Sequence, residues 1–198
     1  MWDERFNTPE YIFGTEPADF VRREVGRLTV PSGILCVADG EGRNSVYLAK
    51  AGHRVTAMDG SPVAIAKAQK LATERGADVA LQAADIARWD WAQAQYDAVF
   101  AVFIQFAPPA LRDAIFAGMV RTLKPGGLLF LHGYTPAQLA HGTGGPRVLD
   151  QLYTADLLSK SFAGMKVLKL TEYEAELSEG KGHSGRSALI DLVARKRA

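Results

Sequence analysis

Short apolar runs alternate with amphipathic stretches along most of the chain, and this alternation predicts its elements. Ile34 to Ala38, Arg54 to Met58, Val79 to Ala83, Asp97 to Phe103 and Leu128 to His132 have strand length. The run from Asp97 to Phe103 is apolar after its first residue, as a parallel strand covered on both faces requires. Between these runs, helices are predicted over Asn44 to Ala51, from a Ser61 cap and Pro62 to a stop at Gly76, and over Pro109 to Leu123. In the last of these Leu111, Ile115, Met119, Val120 and Leu123 share one side.

Repeated alternation of strand and helix predicts an α/β fold, a doubly wound and mostly parallel sheet with right-handed crossovers. Ahead of it Ala18 to Leu28 reads as a helix, preceded by an arm holding Trp2, Phe6, Tyr11 and Phe13. So aromatic an arm is no disordered tail: it packs on the sheet edge, or Tyr11 or Phe13 covers a ligand. Beyond the fifth strand, Gly133 to Pro146 is loop-like and Val148 to Phe162 reads as a helix. Lys166 to Ala175 and Ser187 to Arg195 then read as strands joined by a long connection from Ser178 to Gly185. The 198 residues suit one domain, with 1–28 as arm and first helix and 133–162 as a loop and helix over the site.

Composition narrows the partners. With 23 basic and 22 acidic side chains the formal charge is +1, which provides no field to gather nucleic acid or an anionic membrane. No apolar run reaches the length of a membrane span or signal core, so a cytoplasmic protein, monomer or homodimer, is expected. Cys36 lies in an apolar strand and reads as a buried thiol, and the four histidines have no metal-ligand spacing.

The stretch with chemistry is Asp39-Gly40-Glu41-Gly42-Arg43-Asn44, between the first strand and its helix, followed by Asp59 at the end of the second strand. Glycines spaced by one residue let the backbone turn sharply and present helix-start amides to a ligand. A carboxylate about twenty residues on can accept from both hydroxyls of a ribose. An adenosine-containing ligand is predicted. A nicotinamide dinucleotide is one alternative, for an NAD(P)-dependent oxidoreductase, although Ser45 stands where a third glycine would favour it. Arg43 reads either as a solvated helix-start arginine or as a partner for a ligand carboxylate.

These motifs, with Ala84-Asp85-Ile86, Leu123-Lys124-Pro125-Gly126-Gly127 and the final hairpin, resemble the class I S-adenosylmethionine-dependent methyltransferases over nearly the whole chain. Trp2 to Phe6, Gly14 to Pro17 and Thr143 to Pro146 look like a small bacterial subgroup related to tellurite-resistance and thiopurine methyltransferases. The resemblance implies a seven-stranded, three-layer sheet of order 3-2-1-4-5-7-6 with strand seven antiparallel. It implies S-adenosylmethionine as cofactor and S-adenosylhomocysteine as product. It puts Gly40 and Gly42 beneath the methionine part, Asp59 on the ribose, Asp85 and the Ile86 amide on the adenine edge, and Phe103 on the other side. The family's usual acid two residues before the first glycine is Ala38 here, and Asp39 is its neighbour.

Methyl transfer requires alignment and a dry site, and a thiol or chalcogen oxyanion acceptor needs no strong base. The Asn/Asp-Pro-Pro-aromatic signature that holds an amine in related enzymes is absent from Phe106-Ala107-Pro108-Pro109-Ala110. The ligand-facing sheet edge would collect Gln105, Phe106, His132, Tyr134, His141, Arg147, Lys181, His183 and Arg186, with His183 and His132 the leading catalytic or substrate-orienting candidates. A small-molecule acceptor is expected. A noncatalytic module that binds the cofactor or its product is the other alternative.

Overall fold

The computed structural model describes residues 2–198. One seven-stranded sheet is formed by β1 (Gly33–Val37), β2 (Arg54–Asp59), β3 (Val79–Ala83), β4 (Tyr96–Val102), β5 (Leu123–Tyr134), β6 (Met165–Ser178) and β7 (Ser184–Lys196). Their order is β3-β2-β1-β4-β5-β7-β6, and β7 runs antiparallel to both neighbours. The helices are α1 (Trp2–Phe6), α2 (Asp19–Glu24), α3 (Arg43–Lys50), α4 (Pro62–Arg75), α5 (Pro109–Thr122) and α6 (Ala155–Ser161). Among the described residues no helix is long and apolar enough to cross a membrane.

Strand periodicity divides the core into two layers. Ile34, Cys36, Ala98, Phe100, Leu128 and Phe130 face α2, α3 and α4, where Phe20, Val21, Val46, Leu48 and Leu71 meet them. Leu35, Val37, Val99, Ala101, Leu129 and Leu131 face the other way, against Ile115, Phe116, Met119, Leu158 and Phe162 of α5, α6 and its end. Burial on both faces explains why the central strands read as unbroken apolar runs. Local signals act as expected around α4: Ser61 Oγ accepts from the Ala64 amide, and Gly76 closes the helix at φ 59°.

The structure corrects three expectations. Val148 to Phe162 is not one helix: a 3-10 turn at Leu149–Gln151 is followed by extended Leu152, and Thr154 caps the separate α6. Tertiary contacts pull this stretch straight, because the Tyr153 amide donates to the Tyr134 carbonyl at 3.0 Å while its ring is buried against Phe116. The α2 helix ends at Glu24 and continues only as a 3-10 turn, Val25–Arg27. The final strands run on to Ser178 and from Ser184, leaving residues 179–183 as the connection. Because β6 is parallel to β5, this turn lies at the same sheet edge as the ends of β1, β2 and β4.

Gly118 packs α5 against Trp91 so closely that an added Cβ would lie 2.4 Å from the indole, whereas exposed Gly26 has no heavy atom within 4 Å of that place. Gly118→Ala is therefore expected to lower stability by about 1–3 kcal/mol in urea unfolding. Gly26→Ala is expected to change it by less than about 1 kcal/mol, in the stabilising direction.

Candidate active site

The turn from β1 into α3 combines left-handed residues with buried acids. Ala38, Gly40 and Gly42 have φ of 47°, 62° and 88°, so even the alanine is held in a region that costs a Cβ-bearing residue energy. Asp59 locks the turn: its Oδ2 accepts from the Gly40 amide and its Oδ1 from the Ser61 amide, both at 2.8 Å. Each carboxylate oxygen keeps a second lone pair for a ligand. Asp39 is half-buried beside it and accepts from Ser45 Oγ at 2.5 Å. Loss of water pushes the Asp39 carboxyl up to about 7, with the Ser45 hydrogen bond opposing and the Asp59 charge adding to the rise. Burial also raises Asp59, against the pull of the Ser61 and Gly40 amides.

A cavity of about 910 Å³ opens over this floor, reaching Asp85 and Ile86 beyond β3, Phe103 beyond β4 and Tyr134 at the end of β5. The N-terminal arm is its roof, through Trp2, Asp3, Arg5, Phe6 and Phe13, and Gly144 to Pro146 close another side. The arm is held from both directions. Asp3 accepts from Ser61 Oγ, and Lys67 donates to the carbonyls of Phe6, Thr8 and Glu10. Glu41 accepts from the Ile12 amide at 2.8 Å and the Phe13 amide at 3.4 Å, with Lys67 paired to its other oxygen. Arg43 donates to the Phe13 carbonyl at 3.1 Å and pairs with Glu179 at 2.8 Å. From the β6–β7 turn the Gly182 amide donates to the Ile12 carbonyl, and Gly180 and Gly182 leave no room for a Cβ against Gly14 and Phe13.

So placed, Phe13 stacks on His183 at 4.5 Å between centroids, and His183 stacks on Phe103 at 4.0 Å. Tyr134 Oη lies 2.6 Å from His183 Nδ1. Burial and the nearby Glu179 charge raise the phenol, so it keeps its proton. Burial, then the Arg43, His132 and Arg5 charges, holds His183 well below the usual imidazole range. Donation from the phenol to Nδ1 satisfies both groups and leaves the ring hydrogen on Nε2. The imidazole is neutral and is a donor toward a ligand.

Of the residues singled out in the sequence, the cavity brings together Asp39, Gly40, Arg43, Asp59, Asp85, Ile86, Phe103, Phe13 and His183. Gly42 lies just beneath, pressed on Ala68. Tyr11 is elsewhere, donating to the Lys67 carbonyl. His132 lies behind Phe103 rather than in the cavity, stacked on Phe20 and 2.7 Å from Asp191. Arg43 is neither solvated nor open to a ligand carboxylate, since its guanidinium is taken by Glu179 and the Phe13 carbonyl. Asp85 Oδ1 accepts from the Ala87 amide, which turns this acid back on its own loop. Lys181, Arg186 and His141 pair with Glu10, Glu174 and Glu174 on the surface. Sequence reasoning passed over Glu41 and Arg5; the place of Glu41 inside the glycine turn was a usable signal, whereas nothing local marks Arg5. Among the described residues no group of three or more His, Cys, Asp or Glu is placed to hold a metal ion.

The fold is the Rossmann-like one of S-adenosylmethionine-dependent methyltransferases. Residues 34–127, which contain the glycine turn, Asp59 and Asp85, match the family described as "Methyltransferase domain". The chain therefore carries such a domain, its activity is methyl transfer, and its cofactor is S-adenosylmethionine. Among solved structures it is similar to one from work on the conversion of a disulfide bond into a thioacetal group during echinomycin biosynthesis, with TM-score 0.77, 20% identity, and 96% of this chain and 85% of that one covered. TehB from Haemophilus influenzae gives 0.73 at 18%, covering 99% and 66%. The N-methyltransferase NodS from Bradyrhizobium japonicum WM9, in complex with S-adenosylhomocysteine, gives 0.72 at 15%, covering 100% and 97%. At such identities the likeness is one of fold. No curated protein matches the sequence.

The raised Asp39 carboxyl has a measurable consequence. Its value moves from 3.8 in the open chain to about 7 in the fold, so the stability tied to its proton is full below about pH 4 and is lost as pH rises to about 7. Asp39→Asn removes this dependence. In urea unfolding at several pH values, wild type is expected to lose more stability than the variant between about pH 4 and 7.

Proposed function

We propose that the protein methylates a small-molecule acceptor that arrives with its nucleophile already available, a thiol or a chalcogen oxyanion, in a cavity closed by residues 1–28 and 133–162. The carrying observation is the division of the cavity between a carboxylate floor at Asp39 and Asp59 and a wall of aromatic rings with a neutral, donating His183. The floor suits the cofactor, whose sulfonium and ammonium are cationic; Asp59 offers lone pairs to the ribose, and Asp39 is placed for the ammonium.

The cofactor, when bound, would supply an electrophilic methyl group; a thiol would enter as its thiolate, its proton left in solvent, so that no base is needed and the pair of the broken carbon–sulfur bond stays on the cofactor's sulfur. The chain's own residues orient and exclude water. Phe103 and Phe13 wall the reacting space, and the arm keeps it dry. His183 Nε2 donates to the acceptor and orients it. It is a poor base, because Nδ1 is occupied and burial opposes protonation, and this weighs against an amine acceptor. The subgroup likeness of the arm and of Thr143 to Pro146, and the sulfur chemistry in the description of one neighbour, favour the same acceptors.

Thermal unfolding with S-adenosylhomocysteine, S-adenosylmethionine, NAD and NADPH in separate samples tests the cofactor site. A shift with the two adenosyl sulfur ligands alone is expected, about 2.7 kcal/mol at a hundred times the dissociation constant. Asp59→Ala should weaken S-adenosylhomocysteine by more than about tenfold in calorimetry. Unchanged affinity would remove Asp59 from the site. Methyl transfer to thiols, selenite or tellurite is expected, and turnover confined to amines would overturn the acceptor assignment.

A further inference from the structure

Among the described residues, Arg5 is an exposed arginine that lines this cavity without a carboxylate partner. Arg43, the other arginine lining it, is neutralised by Glu179 at 2.8 Å. Arg22, Arg75 and Arg186, on the nearby surface, each pair with a glutamate. Among the described residues no carboxylate lies within ion-pair distance of Arg5. Its guanidinium instead lies over two rings of the arm, 5.1 Å from the centroid of Trp2 and 5.3 Å from that of Phe13. Those contacts orient the group and remove part of its water without satisfying its five donors.

The direction in which it is held matters. Phe13 is the outer leaf of the stack on His183, so Arg5 lies at the end of the cavity where His183 and Tyr134 face inward. Its charge is felt by both, opposing a proton on the imidazole and favouring loss of one from the phenol, in each case behind the larger effect of burial. Asp39 and Asp59 line the floor, and Asp3 of the arm lines the cavity as well, its carboxylate held by Ser61 Oγ. Around Phe13 the cavity offers two donors, the Arg5 guanidinium and the His183 Nε2 hydrogen.

We propose that Arg5 is the anchor for a negative charge on the acceptor, which makes the substrate class small anions with an apolar or aromatic body: thiols bearing a carboxylate, or oxyanions. This rests on the methyltransferase reading of the cavity and narrows it. Arg5 and His183 hold the acceptor's anionic group, and its apolar body lies along the edges of Phe13 and Phe103, whose faces are stacked on His183. A cationic acceptor would meet an unpaired arginine at the same place and be rejected. Since Arg5 and Phe13 belong to the arm, which Glu41 and Arg43 pin to the glycine turn, selection of the acceptor depends on a segment in which the apolar residues alone invite attention.

The test uses the full chain saturated with S-adenosylhomocysteine and calorimetric titration of two probes of nearly equal shape, para-mercaptobenzoate and its neutral amide, para-mercaptobenzamide. Wild type is expected to bind the benzoate more than about tenfold tighter than the amide. Arg5→Gln should bring the two within about twofold, Arg5→Lys should keep most of the preference, and both variants should bind S-adenosylhomocysteine within about twofold of wild type, which also shows that they fold. Equal affinity of the two probes in wild type, no binding of the benzoate, or a preference that survives Arg5→Gln would each overturn the anchor. Failure of S-adenosylhomocysteine to bind wild type would instead overturn the methyltransferase reading, and the same two probes titrated into the cofactor-free protein then decide the anion anchor separately.

Discussion

The ion pair between Arg43 and Glu179 joins two parts of the chain 136 residues apart, and the site depends on it. Arg43 opens α3 directly after the glycine turn, while Glu179 begins the turn between β6 and β7. Both side chains are buried, so each needs the other: a lone charge there would face a desolvation cost with nothing to offset it. Their spare capacity is spent on the arm, with Arg43 donating to the Phe13 carbonyl and Glu179 accepting from the Asp19 amide. The floor of the cavity, its roof and its far wall thus become one unit. The glycine turn is thereby linked through Arg43 to Phe13 and through Phe13 to His183.

Within that unit the charges are sorted. Asp39 and Asp59 lie together on the floor, where loss of water raises both. A cationic ligand relieves this by giving the carboxylates a partner. Around Phe13 a neutral imidazole and the Arg5 guanidinium supply hydrogen-bond donors. An anion attacking a sulfonium between these groups cancels two charges in a space with little water, and a dry site favours a reaction that removes charge. Catalysis of this kind asks the protein for alignment and exclusion rather than for a base.

Much of the architecture could be read locally. Asp97 to Phe103 announced a buried parallel strand, Ser61-Pro62 and Gly76 marked the two ends of α4, and the glycine turn with Asp59 located the cavity floor. The reading failed where distant contacts outweighed local preference. Leu152 and Tyr153 carry a helical pattern, yet the Tyr134 carbonyl and the ring of Phe116 draw them into an extended segment. His132 was legible as a residue at the ligand-facing edge, but its side chain points into a network with Asp191, Lys169 and Glu24 behind Phe103. The side to which a strand-end residue points depends on what packs over it.

By itself the sequence determined the sheet, the turn that faces the ligand and the acids on its floor, because periodicity, glycine spacing and caps act over a few residues. Only the tertiary structure decided the states of those groups. Asp39 is raised to about 7, His183 stays neutral with its hydrogen on Nε2, Arg43 is consumed by Glu179, and among the described residues Arg5 has no counterion. Each of these depends on burial and on partners brought from far along the chain, and neither can be read from a residue's neighbours in sequence.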